Sequence, residues 1–177
     1  MTKNFAGSRD KSIPLTKRLI GNPHGKRQGE LIELAFMYKA SSLSFGIAKP
    51  WGESGQYDFV VDNGKVLWKV QVKSTTNFDG YGYRLGTYWK SIARMHCPYT
   101  AEQIDFLVGY VIPEDVWYVL PIGAFTPRKS VTVYPQRSQD NGMYEQYREA
   151  WHLLKSDALA RISENPCESV AKDLLKP

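Results

Sequence analysis

The 177-residue sequence has only two cysteines, Cys97 and Cys167, far apart and outside any paired-ligand spacing. That excludes a disulfide framework and a zinc site of ordinary spacing, and it points to a reducing compartment. Histidine is equally sparse. His24, His96 and His152 show no metal-ligand spacing, and His152 beside Trp151 reads as helix packing. No apolar run approaches the roughly eighteen residues that a membrane span requires, and the polar first residues lack a signal-peptide core. The expected partner list therefore contains no membrane, and the expected location is the cytoplasm. A Gly-rich phosphate loop, a Ser/His/Asp order and an internal repeat are also missing.

What is present is basic charge. Lys and Arg number 23 against 18 Asp and Glu, a formal net charge of +5 that favours a polyanionic partner. The excess is uneven. Before Glu30 the chain carries Lys3, Arg9, Lys11, Lys17, Arg18, Lys26 and Arg27, opposed by Asp10 alone. With Pro14, Gly21, Pro23 and Gly25 interrupting it, the stretch 1–25 reads as a basic arm: either a phosphate-contacting segment or a solvated terminus. Residues 26–177 have the length of a single domain.

Helix formers dominate 26–40, with Leu31, Leu34, Ala35 and Tyr38 at helical spacing and Glu30 and Glu33 sharing a face. Gly46 to Gly55 reads as a loop. Tyr57–Val61 and Val66–Ser74 read as strands around Asn63-Gly64, a dipeptide that tolerates the positive φ of a tight hairpin turn. In the second strand Val66, Trp68, Val70 and Val72 alternate with Leu67, Lys69, Gln71 and Lys73, which sets an apolar face against a mainly polar one. Further strands are expected at 81–85, 106–112, 116–120 and 130–134, with a loop or short helix carrying Lys90, Arg94 and His96. An amphipathic helix is expected over 143–163, where Tyr144, Tyr147, Trp151, Leu154, Ala158 and Ile162 form a stripe.

A two-residue turn at Asn63-Gly64 would pair Asp62 with Lys65, and therefore Asp58 with Lys69. Gln71 is then the diagonal neighbour of Asp58, close enough for both side chains to meet at one ion, and Lys73 follows along the same face. Hard divalent cations take oxygen ligands; the Asp58 carboxylate, the Gln71 side-chain carbonyl and the Val72 backbone carbonyl can supply them, with Glu33 joining directly or through water. Such an ion polarises a phosphate and lowers the pKa of its water, while Lys73 can hold that water or the developing charge. The alternatives are an ion pair of Asp58 with Lys69 and a solvent-facing Gln71 and Lys73. Lys49 beside Pro50 is a candidate phosphate contact. Ser74 and Thr75 can bind phosphate or satisfy local backbone. Trp51 and Tyr57 either pack or stack on DNA.

Tyr57-Asp58, then Gln71-Val72-Lys73-Ser74-Thr75 on the next strand, and Gly29-Glu30-Leu31-Ile32-Glu33 on a preceding helix resemble the PD-(D/E)xK nuclease superfamily. More narrowly, they are similar to its bacterial group I intron homing-endonuclease branch, where the strand motif often reads Gln-x-Lys. The resemblance implies an α/β fold with a restriction-endonuclease-like core, a mixed β-sheet flanked by helices. It also implies a Mg²⁺-dependent endonuclease acting on DNA, with Mn²⁺ as the alternative ion. Glu33, Asp58, Gln71 and Lys73 are the implied catalytic residues, Glu30 is the reserve for Glu33, and Lys26, Arg27, Lys49, Ser74 and Thr75 are candidate DNA contacts. Tyr57 stands where the motif has proline, which is not a ligand. Gln71 stands where an acid is usual, removing one negative charge. A Holliday-junction or repair nuclease, and a non-catalytic nucleic-acid-binding module with a degenerate nuclease fold, are the other readings. Cutting both strands of a duplex favours a homodimer or higher homo-oligomer.

Overall fold

The computed structural model describes residues 26–52, 55–90, 93, 95–138 and 141–156. The basic arm, Arg94, Cys167 and the last third of the expected 143–163 helix lie outside them.

The first element, α1 (Lys26–Ser42), forms as the helix-rich composition predicts. It stops where Ser44 takes a left-handed φ of 67°, and the Ser42 hydroxyl donates back to the Lys39 carbonyl at 2.7 Å. The buried face differs from the expected one. Ile32, Ala35, Phe36 and Ala40 are buried, whereas Leu34 and Tyr38 are 60% and 68% exposed. The reason is Phe36, whose ring sits 5.1 to 6.3 Å from those of Phe59, Trp117 and Trp151. That aromatic cluster fixes the rotation of the helix about its axis.

Among the described residues nine strands follow: β1 (Gly46–Ala48), β2 (Phe59–Asp62), β3 (Leu67–Thr75), β4 (Tyr83–Gly86), β5 (Tyr88–Lys90), β6 (His96–Pro98), β7 (Phe106–Val111), β8 (Val116–Pro121) and β9 (Ser130–Val133). Strands β1, β2, β3, β7 and β8 form one mixed sheet in that order, antiparallel except for the parallel β3–β7 pair. Two small ribbons, β4–β9 and β5–β6, stand beside it. The expected loop at 46–55 thus begins with an edge strand, and the expected loop or helix around Lys90 and His96 is a short hairpin.

The two faces of β7 belong to two cores, and the apolar face of β3 joins the first of them. Val70, Val72, Val108 and Tyr110 pack with α1, and Leu107 and Val111 pack with Leu85, Tyr118 and Leu120. Every residue of β7 is buried, as befits a strand covered on both sides. Gly109 is required there: a Cβ would lie 2.3 Å from Leu85 Cδ2.

The hairpin register is displaced from the expected one by two residues. Asp62 pairs with Leu67 and Phe59 with Val70, so Asp58 leads into the strand opposite Gln71 rather than Lys69. The turn is longer because the Asn63 side chain closes it, its Oδ1 accepting the Lys65 and Val66 N–H groups at 2.9 and 2.8 Å. A shift of two keeps every side chain on its face.

The expected 143–163 helix is not continuous over its described part. A 3₁₀ turn (Glu145–Tyr147) and a short helix (His152–Lys155) are separated by Glu149, whose φ is 50°. In chain order the short helices are α2 (Ile122–Phe125) and α3 (His152–Lys155). The break is held by the Glu149 carboxylate, which accepts the Trp117 N–H and the Trp151 indole N–H, each at 2.8 Å. Tyr144, Trp151 and Leu154 are nonetheless buried, which is why the stripe looked helical. His152 is exposed and takes no part in that packing.

Candidate active site

Asp58 is placed by the hairpin: its N–H donates to the Val70 carbonyl at 2.9 Å, just before β2 begins. Its carboxylate turns back onto β3. Oδ2 accepts the Val72 N–H at 2.8 Å and the Gln71 Nε2–H at 2.5 Å. The same Gln71 nitrogen lies 3.3 Å from the Val72 carbonyl oxygen. One atom of Asp58 and one each of the adjacent Gln71 and Val72 therefore come together, and Gln71 is buried while doing so. Neither the Asp58–Lys69 ion pair nor a solvent-facing Gln71 is formed. Lys69 instead donates to the Glu102 carbonyl at 2.6 Å.

Lys73 follows Gln71 on the same face of β3 with its ammonium 6.0 Å from the centre of the Tyr99 ring. Burial lowers its pKa; the Asp58 charge opposes that shift and the Lys90 charge adds to it. Asp58 is shifted the other way. Burial raises its pKa, the Val72 N–H pulls it back, the Glu33 charge raises it again, and Lys73 and Gln71 lower it. Tyr99 is also raised, by burial and then by Asp58. Tyr99 had no sequence signal, since it reaches the site only through tertiary packing.

The helical acids stand on the other side of a cavity of about 300 Å³, lined by Glu30, Glu33, Lys49, Tyr57 and Asp58 among others. Lys26 is on its rim, whereas Arg27 is exposed outside it. Glu33 reaches inward and forms an ion pair with Lys49, Nζ to Oε2 2.6 Å. Lys49, the candidate phosphate contact, here neutralises Glu33. Its pKa is raised chiefly by that bond, against burial, with the Glu33, Asp58 and Glu30 charges adding. Ser74 is half-buried on the α1 face of β3. The Thr75 hydroxyl donates to the Arg84 carbonyl at 2.7 Å and accepts the Asn77 N–H at 3.0 Å. Trp51 is fully exposed, while Tyr57 packs partly against the second core.

Among the described residues no three His, Cys, Asp or Glu side chains gather as a metal cluster. The donor set here is of another kind. Rotating the Gln71 amide by half a turn exchanges its nitrogen for its oxygen, and the convergent atoms become carboxylate, carboxamide and carbonyl oxygens. That is chemistry suited to a hard divalent cation. Gln71 Nε2 now lies between the Asp58 carboxylate and the Val72 carbonyl, the groups that would hold such an ion.

No curated protein matches the chain. Among solved structures, a bacterial homing endonuclease, I-Ssp6803I, superposes with a TM-score of 0.67 at 28% identity, over 78% of this chain and 97% of that one. MepB aligns more loosely, with a TM-score of 0.37 at 16% identity over 70% of this chain and 93% of its own. The family model described as PD-(D/E)XK endonuclease matches residues 23–154, which span the helix, the hairpin, the mixed sheet and the short helix after it. The chain belongs to the PD-(D/E)XK endonuclease family, on a restriction-endonuclease-like fold.

Proposed function

We propose that this protein is a Mg²⁺-dependent endonuclease that hydrolyses DNA phosphodiester bonds, of homing or restriction type, with Mn²⁺ able to replace Mg²⁺. The observation that carries the reading is the convergence of the Asp58 carboxylate, the Gln71 amide and the Val72 carbonyl, with Lys73 next along the same face. Asp58, Gln71 and Val72 would hold the ion, and Glu33 would complete the set after parting from Lys49, with Glu30 in reserve at the cavity. A cation held there supplies positive charge that polarises the phosphate and lowers the pKa of bound water. Lys73 orients the attacking water through its ammonium and then faces the charge that develops on the phosphoryl oxygens. Its partly desolvated position strengthens that interaction. Lys49 and Lys26 line the approach and meet the flanking phosphates.

Residues 26–177 would form the single nuclease domain, with the arm at 1–25 and Arg27 gripping the DNA backbone. A homodimer supplies the second active site that double-strand cleavage calls for. The test is nicking of supercoiled plasmid and of a four-way junction in Mg²⁺, Mn²⁺ or EDTA. Metal-dependent cutting of linear or plasmid DNA supports the homing or restriction type; preference for the junction assigns a Holliday-junction or repair nuclease. One feature favours a second reading, a non-catalytic nucleic-acid-binding module: Gln71 is neutral and Glu33 is ion-paired with Lys49, so the proposed ligand set carries little free negative charge. DNA binding that is unchanged by EDTA, with no cleavage, would select it.

A further inference from the structure

Away from the acidic cavity is a second one of opposite character. It has a volume of about 470 Å³ and is lined by Asn77, Arg84, Gly86, Tyr88, His96, Lys129 and Ser130, with no carboxylate among the described lining residues. Two cationic side chains, one imidazole, two hydroxyls and one amide thus surround a space that can hold a phosphate group. The cavity sits between the two ribbons: Arg84 and Ser130 come from β4 and β9, and Tyr88 and His96 from β5 and β6.

The arrangement is built. Arg84 donates through Nε to the Ser130 hydroxyl at 3.2 Å, which orients the guanidinium plane and leaves its terminal nitrogens as donors. The His96 ring stacks on Tyr88 with centroids 3.9 Å apart, giving the opposite wall a fixed aromatic pair. Asp79 is the acid that feels Arg84, and its carboxylate is turned into its own loop, accepting the Tyr81 and Gly82 N–H groups at 3.1 and 2.9 Å.

The cavity is also tied to the proposed cleavage site. Thr75, two residues beyond Lys73 on β3, clamps the Arg84 backbone through its hydroxyl. Lys90, on β5, is close enough to Lys73 to act on it electrostatically.

We infer that the Arg84–Lys129 cavity is a second phosphate-binding site, which holds a backbone phosphodiester of the DNA beyond the one that is cut. Arg84 provides a forked pair of donors and Lys129 a point charge; the Ser130 hydroxyl and the Asn77 amide complete the shell. The identity of the polyanion as DNA rests on the proposed nuclease reading, but the site's operation does not require the cation or Asp58.

The test is fluorescence anisotropy of a labelled duplex in EDTA across a salt series, comparing the full chain with Arg84→Gln/Lys129→Gln. The control is Lys65→Gln/Lys155→Gln, which removes the same charge at the far end of the β2–β3 hairpin. Loss of one or two phosphate contacts makes the slope of log K against log salt shallower by about 1–2, and the control leaves it unchanged. Arg84→Lys/Lys129→Arg should restore most of the slope. An unchanged slope in the cavity variant, or an equal loss in the control, overturns the site. Asp58→Ala run alongside separates the two ideas: if it abolishes nothing in a cleavage assay, the catalytic reading fails while the binding result stands on its own.

Discussion

Replacing Gln71 with Glu restores the acid usual in the motif and tests how the site is balanced without its ion. In the structure the Gln71 amide donates to Asp58 Oδ2 at 2.5 Å. Glutamate loses that charge-assisted bond, worth about 1.5–3 kcal/mol, and sets two carboxylates against each other, a repulsion of up to about 4 kcal/mol at an effective dielectric near 20. A proton shared by the pair relieves part of this. We expect a net destabilisation of roughly 2–4 kcal/mol in EDTA at mildly alkaline pH, or about 4–16 °C in Tm for a domain of this size. The sign follows from Asp58, whose pKa is already raised, first by burial. A raised carboxyl pKa means the folded state binds the proton more tightly. The cost of ionisation therefore accumulates as pH rises from the ordinary carboxylate value to the raised one, and is complete above it. The variant should thus approach wild-type stability in acid and fall away from it in base. Added Ca²⁺ or Mg²⁺ should stabilise the variant more than the wild type, since the extra charge lowers the dissociation constant and ligand stabilisation follows mass action. Thermal melts at two pH values, with and without cation, measure all of this. Equal melting curves for the two proteins in EDTA at alkaline pH, or a smaller cation response in the variant, would refute the placement of Gln71 against Asp58 as an ion site.

The Lys49–Glu33 pair makes a separate prediction: Lys49→Met should raise Ca²⁺ affinity in a calorimetric titration, because Glu33 is freed, while weakening DNA binding; lower Ca²⁺ affinity would remove Glu33 from the ligand set. Glu145 is fully buried and accepts the Tyr134 N–H at 2.6 Å and the Tyr118 hydroxyl at 2.7 Å, so its role is structural. Glu145→Ala should cost about 3 kcal/mol or more by denaturant unfolding, and Glu145→Gln about 1–2 kcal/mol; a cost below about 1 kcal/mol for the alanine variant would contradict it.

The parts of this molecule that were legible in its sequence are those governed by short-range pattern. Alternation in β3 assigned Gln71 and Lys73 to one face, and it survived a wrong register because the error was two residues. That error came from Asn63, whose side chain closes a longer turn than the dipeptide alone suggests. Helix α1 was legible as a helix but not in its rotation, because Leu34 and Tyr38 read as core residues while a tertiary aromatic cluster buries Phe36. The expected 143–163 helix failed over its described part for a related reason. Buried residues recur there at helical spacing, yet the backbone is bent at Glu149 to serve Trp117 and Trp151. Strands β1, β5 and β6 are three residues long, too short to carry a periodic signal. The Lys49–Glu33 pair and the Tyr99 ring beneath Lys73 depend on which segments meet in space, and no local pattern encodes that.

Whether Asp58 and Lys73 perform cation-dependent phosphodiester hydrolysis is decided by single-turnover nicking of supercoiled plasmid by wild type, Asp58→Ala and Lys73→Ala in Mg²⁺ and in EDTA. Circular dichroism would establish that all three proteins are folded. The account predicts nicking by the wild type in Mg²⁺ alone and losses of at least about 10²-fold in both variants, the scale of removing one group that stabilises transition-state charge. Undiminished Mg²⁺-dependent nicking by either folded variant would contradict it.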